Sequence, residues 1–104
     1  PESAVSDTSS QMDTSEGLSQ EMVILNRYGL HARPASKFVK LAGRYKCSIY
    51  VEKDGEEVNG KSIMGLMMLA AGEGSHILVK AAGEDAREAL DEIQKLVNEK
   101  FGED

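Results

Sequence analysis

The chain has a single cysteine, Cys47, in 104 residues. That excludes an intrachain disulfide and any metal site built from several cysteines. No apolar run is long enough to span a bilayer, and no basic start, apolar stretch and small-residue cleavage site make a signal peptide. The expectation is therefore a cytoplasmic protein with no membrane partner. Positive charge is in short supply: 12 Lys and Arg against 18 Asp and Glu give −6, and aromatics are 5% of the residues. A chain so poor in both is badly suited to binding nucleic acid. Gly72 and Gly74 have no Lys-Ser/Thr pair after them, so they read as turn formers and not as a nucleotide-binding loop. Nothing arranges Ser, His and Asp as a hydrolytic triad, and a domain this small offers little room for a substrate cleft.

What is present is organised. The length suits one domain with one small core. Residues 1–16 hold Glu2, Asp7, Asp13 and Glu16 with no Lys or Arg, which puts −4 of the total −6 there and leaves −2 for the rest. That stretch is rich in Ser, Thr and Asp and too poor in apolar residues to offset its ordering entropy. Residues 1–17 are expected to be a disordered acidic leader, either native or an artificial remnant since the chain opens on Pro, and 18–104 the folded domain.

Patterning begins at about Leu18. The stretch "EMVILN" reads as a strand and "YG" as a turn. Residues 32–43 read as a helix, with Ala35, Phe38, Val39 and Ala42 on one face and Arg33, Lys37, Lys40 and Arg44 opposite. "KCSIYVEKDGEEVNG" reads as a hairpin around Asp54-Gly55, with Cys47, Ile49 and Val51 facing inward. Cys47 is thus expected to be a buried small apolar residue. Ser62 to about Ala70 reads as a short helix. "SHILVKA" reads as a strand with Ile77, Val79 and Ala81 on one face. Glu84 to about Lys100 reads as a helix with Ala86, Ala89, Leu90, Ile93, Leu96 and Val97 inward, and Glu84 and Asp85 in a first turn that suits acids. The order predicts a two-layer α+β domain with the helices on one side of a four-stranded sheet.

The segment "YGLHARPASKF" carries the chemistry. His31 stands where Ser, Thr, Asp or Asn usually begins a helix. The first N–H groups of a helix have no partner within it, and with the dipole they make an anion site. Arg33 adds a fork of donors matched to phosphate, Pro34 suits a first turn, and Gly29 permits a sharp approach. Positive potential here disfavours a protonated ring and leaves a nitrogen lone pair to attack phosphorus. Ala32, Arg33 and Pro34 are the expected phosphoryl-binding positions. On spacing alone, an ordinary surface histidine is the plainer alternative. His76 begins a strand and reads as structural or exposed.

"GLHARPASKFVKLA", followed by "NGKSIMGLMMLAAGEGSHILVKAAGEDAREALDEIQKL", resembles HPr, the histidine-containing phosphocarrier of the bacterial phosphoenolpyruvate-dependent sugar phosphotransferase system. The likeness runs from about Leu18 to Phe101. It implies an open-faced two-layer β-sandwich: a four-stranded antiparallel sheet with three helices on one face. It implies that His31 is phosphorylated at Nδ1 by enzyme I, that Arg33 balances the phosphoryl charge, and that the group passes to IIA domains of sugar permeases. The carrier is then no enzyme, binds no cofactor or metal, and is a monomer. Ser62 matches a serine that an HPr kinase/phosphorylase modifies in many Gram-positive-type members, where a catabolite-control transcription regulator is a further partner. Ser62 also reads as a helix N-cap, lacking a capping box because Gly65 stands three residues on. Arg27, Lys37 and Lys40, with Ile63, Met64 and Met67 left exposed by a helix apolar all round, are the expected docking surface. The alternatives are a regulatory paralogue, or an adaptor that is not phosphorylated and acts through docking alone.

Overall fold

In a computed structural model, which describes residues 17–103, seven elements follow in the expected order. The acidic leader, apart from Gly17, lies outside the described residues. The strands are β1 (Leu18–Val23), β2 (Ser48–Lys53), β3 (Glu56–Asn59) and β4 (His76–Ala82); the helices are α1 (Ala32–Ala42), α2 (Ile63–Met68) and α3 (Ala86–Asn98). A 3₁₀ turn at Lys100–Gly102 completes the described chain.

All strand pairs are antiparallel, in the order β1-β4-β2-β3. Leu18 faces Ala81, Val51 faces Val79, and Tyr50 faces Asn59. The β2–β3 turn is Asp54-Gly55, both at positive φ (53° and 86°), the pairing that a twisted two-residue hairpin requires. One face of the sheet carries Met22, Ile49, Val51, Ile77, Val79 and Ala81 into the core; the helices close over it with Phe38, Ala42, Leu66, Leu90, Ile93 and Val97, and Cys47 is buried among them as expected. The other face is open.

Three boundaries differ from the sequence reading. β1 begins at Leu18, ahead of "EMVILN", and its end is tied by Ile24, whose N–H donates to the Ser75 carbonyl (2.9 Å) and whose carbonyl accepts from Gly74 (2.7 Å). α2 stops at Met68, because Ala70 takes a left-handed φ of 52°. α3 starts at Ala86, not Glu84, so Asp85 is its N-cap and Glu88 the acid of its first turn. Asp85 makes no cap bond. Its carboxylate instead accepts from the N–H groups of Lys46 (2.9 Å) and Cys47 (3.0 Å), and these bonds hold it below the usual carboxylate range.

The 3₁₀ turn was not foreseen. Lys100, Phe101 and Gly102 all have positive φ (58°, 56° and 75°), which folds the chain back under α1. Phe101 is fully buried, and Lys37 Nζ donates to its carbonyl at 2.7 Å.

Candidate functional site

The loop from Asn26 to His31 sets the geometry. Buried Asn26 donates through Nδ2 to the Gly29 carbonyl at 2.8 Å. Gly29 has φ +68°, and a Cβ there would lie 2.2 Å from the Ala71 carbonyl oxygen. Only glycine lets the chain turn this close to the segment before β4. Leu30 N–H then donates to Ala71 (2.9 Å), and the next residue is the N-cap of α1.

His31 caps by position only. Its backbone is extended (φ −78°, ψ −171°), its carbonyl accepts from Ala35 at 3.0 Å, and its ring makes no cap bond. The N–H groups of Ala32 and Arg33 are therefore left without a helical acceptor. Pro34, expected among the anion-binding positions, is buried and has no N–H, so it shapes the turn but donates nothing.

The imidazole stands at the surface, its side chain 42% exposed. Nε2 lies 3.2 Å from Glu103 Oε1, and Arg33 Nε lies 3.8 Å from Glu103 Oε2, a distance of attraction and not of hydrogen bonding. A carboxylate can only accept. The neutral ring in this pose carries its proton on Nε2, and the lone pair falls to Nδ1. The ring of Tyr28 meets the imidazole edge-on, 6.2 Å between centroids at 87°, and Arg27 sits 5.8 Å from the Tyr28 centroid. Around His31, an open depression of about 630 Å³ is lined by Arg27, Tyr28, Ala32, Arg33, Lys37, Gly102 and Glu103. Three cations and one carboxylate thus face one space.

The docking residues are placed less uniformly. Ile63, Met64 and Met67 are exposed at 39%, 71% and 40%, and Met68, not anticipated, at 66%. Met67 shares a second depression with Tyr28 and His31, so α2 borders the site. Lys37 departs from the expected solvated stripe: it turns toward the tail and holds Phe101. Lys40 and Arg44 line a separate groove. Ser62 is the N-cap of α2, its Oγ accepting from Gly65 N–H at 3.0 Å. His76 is exposed and pairs with Glu21 at 3.0 Å, away from the site.

Sequence reasoning missed Glu103, Phe101 and Tyr28. Phe101 had a signal, since it extends the α3 stripe four residues beyond Val97. Glu103 had none: the turn that returns it to His31 depends on two non-glycine residues at positive φ.

Fold and site together define a class: small domains that present one histidine, at the unfilled start of a helix, to partner proteins. Residues 18–99 match the family described as "PTS HPr component phosphorylation site". The phosphocarrier protein HPr of Pseudomonas aeruginosa is 49% identical over 84 residues, covering 80% of this chain and 93% of that protein. The HPr-like protein Crh of Bacillus subtilis is 45% identical over 80 residues, 77% of this chain and 94% of its own. One solved structure of Crh (TM-score 0.66, 47% identity, 71% and 85% covered) is described as a swapped dimer. HPr-C-His of Thermoanaerobacter tengcongensis superimposes with a TM-score of 0.81 at 42% identity, covering 84% and 98%. The chain belongs to the HPr family of phosphocarriers of the phosphotransferase system.

Proposed function

We propose that His31 carries the phosphoryl group of a sugar phosphotransferase relay, taking it from phosphorylated enzyme I and giving it to IIA domains of sugar permeases. The single observation that supports this most is the pairing of Nε2 with Glu103, which leaves Nδ1 as the nucleophile beside unfilled helix N–H groups. In the forward step the Nδ1 lone pair forms the N–P bond as the bond from phosphorus to the donor breaks. The ring then holds a proton on Nε2 and gains positive charge, which Glu103 offsets. Ala32 and Arg33 N–H groups and the Arg33 guanidinium face the phosphoryl oxygens. Return transfer reverses each bond change, so the protein is a stoichiometric carrier and not an enzyme. It needs no cofactor or metal for this step, works in the cytoplasm, and acts as a monomer.

Arg27 and Lys37 give the His31 depression its charge, Lys40 extends the basic face along α1, and Ile63, Met64 and Met67 give the apolar contact. Ser62 is the regulatory site. Phosphorylation there adds about −1.5 to −2 charge at a helix start, which tolerates anions, so the fold is kept while an acidic partner is repelled. An HPr kinase/phosphorylase and a catabolite-control regulator are the partners of that form. The likeness to Crh, described as the catabolite repression HPr of Bacillus subtilis, supports a second reading, a regulatory paralogue.

Intact mass after incubation with phosphoenolpyruvate and enzyme I separates the two. An acid-labile gain of one phosphate, absent in His31→Ala, supports the relay; no gain supports the paralogue or an adaptor. Ser62→Asp should slow uptake from enzyme I, and an unchanged rate counts against regulation at this serine.

A further inference from the structure

Among the described residues, only Lys100 and Phe101 are consecutive non-glycine residues at positive φ (58° and 56°), and Gly102 follows at 75°. Side chains make that backbone region costly, and the strain persists only where the surroundings over-determine it. Three contacts do so here. The Phe101 ring is fully buried. Gly102 N–H donates to the Glu99 carbonyl (3.0 Å) and Glu103 N–H to the Lys100 carbonyl (2.9 Å). Lys37 Nζ donates to the Phe101 carbonyl at 2.7 Å. A Cβ at Gly102 would lie 3.3 Å from that Nζ, so the ammonium sits close over the Phe101–Gly102 link.

The turn delivers Glu103 to the site. Its side chain is only 19% exposed, and Oε1 lies 3.2 Å from His31 Nε2. Oε2 is buried without a hydrogen-bond partner among the described residues, and Arg33 Nε stands 3.8 Å away. A carboxylate with so few bonds of its own depends on the turn behind it for its position. Lys37 ties that turn to α1, four residues beyond Arg33 on the same helix face. One helix therefore carries the ring, the guanidinium and the clasp.

We infer that Lys37 is a positioning residue of the relay: its bond to the Phe101 carbonyl clasps the left-handed turn to α1 and so keeps Glu103 on Nε2 of His31. It acts through the carboxylate and not on the phosphoryl group. The hydrogen bond made by one ring nitrogen sets which nitrogen carries the proton. With Glu103 in place the proton stays on Nε2 and the Nδ1 lone pair is free to attack phosphorus. With the tail released the proton can occupy Nδ1, and a ring in that form cannot attack from Nδ1. The effect on transfer rests on the relay reading above; the clasp and its effect on the ring do not.

Lys37→Met keeps the aliphatic stem and removes the donor, whereas Glu103→Ala leaves the clasp and removes the carboxylate. In hydrogen exchange, the Gly102 and Glu103 amides should open several-fold faster in Lys37→Met, with the β4 amides unchanged. Nitrogen-15 spectra of the neutral ring should show a protonated Nε2 and a bare Nδ1 in the parent. In both variants the two resonances should move toward each other. Single-turnover uptake from enzyme I should fall roughly 3- to 10-fold in Lys37→Met, the size of one hydrogen bond. On the Glu103→Ala background, Lys37→Met should cost no more than about twofold further, because both act on one element. Unaltered exchange at Gly102 and Glu103 overturns the clasp, and unaltered ring nitrogens in Lys37→Met overturn the positioning. Additive losses overturn it as well, since Lys37 then meets the partner directly. Absence of uptake by the parent counts instead against the relay, and the ring nitrogens still decide the positioning.

Discussion

The starts of α1 and α2 both open from an extended N-cap residue and are finished in opposite ways. At α2, Ser62 Oγ accepts from Gly65 N–H and fills the site. At α1, His31 occupies the cap position but turns its ring to Glu103, and the first N–H groups stay available. A filled start secures a six-residue helix that has little stability of its own. An unfilled one forgoes that stabilisation and leaves the N–H donors that the proposed phosphoryl carriage would use. The start of α3 is a third variant, in which Asp85 serves a neighbouring loop instead.

The largest expected break in this comparison is His31→Ala. It should abolish the acid-labile phosphate in intact mass, yet change unfolding free energy by no more than about 0.5 kcal/mol, because the ring caps nothing and is exposed. Arg33→Gln comes next. Loss of one charge-assisted contact to the phosphoryl group, about 1.5–3 kcal/mol, should slow uptake roughly 10- to 100-fold in single-turnover assays. Ser62→Ala inverts the first pattern: it should cost about 1 kcal/mol in urea unfolding and leave the uptake rate near that of the parent.

The smallest effect is one of pH at α3. Asp85 is held below the usual carboxylate range chiefly by the Lys46 N–H, so its contribution is present above the unfolded carboxylate value and fades as pH drops through the lower folded value. Asp85→Asn should flatten the acid limb of a Tm-against-pH curve. Cys47 runs the other way. Burial, then its bond to Asp85, pushes the thiol up to about 11, so its contribution is lost only as pH rises, and thiol reagents should react slowly at pH 8.

Periodicity made most of the fold legible. Alternation placed Cys47, Ile49, Val51, Ile77, Val79 and Ala81 inward, and the helical stripe of α3 was read correctly except that Leu96 is only partly buried. Boundaries were less legible because they depend on partners remote in sequence: β1 is set by its register with β4, and Asp85 is withdrawn from α3 by Lys46 and Cys47. At the site, His31 and Arg33 were legible as a local motif. Glu103 was not, since it arrives over 72 residues by way of a turn that propensity disfavours. Lys37 looked like one more surface cation until the Phe101 carbonyl took it.

The most direct measurement is nitrogen-15 correlation spectroscopy of the chain loaded by enzyme I and phosphoenolpyruvate. Phosphorus coupled to Nδ1 of His31, with the Ala32 and Arg33 amide protons shifted downfield, is the predicted result. Phosphorus on another residue or on Nε2, or amides at the start of α1 that do not move, would contradict it.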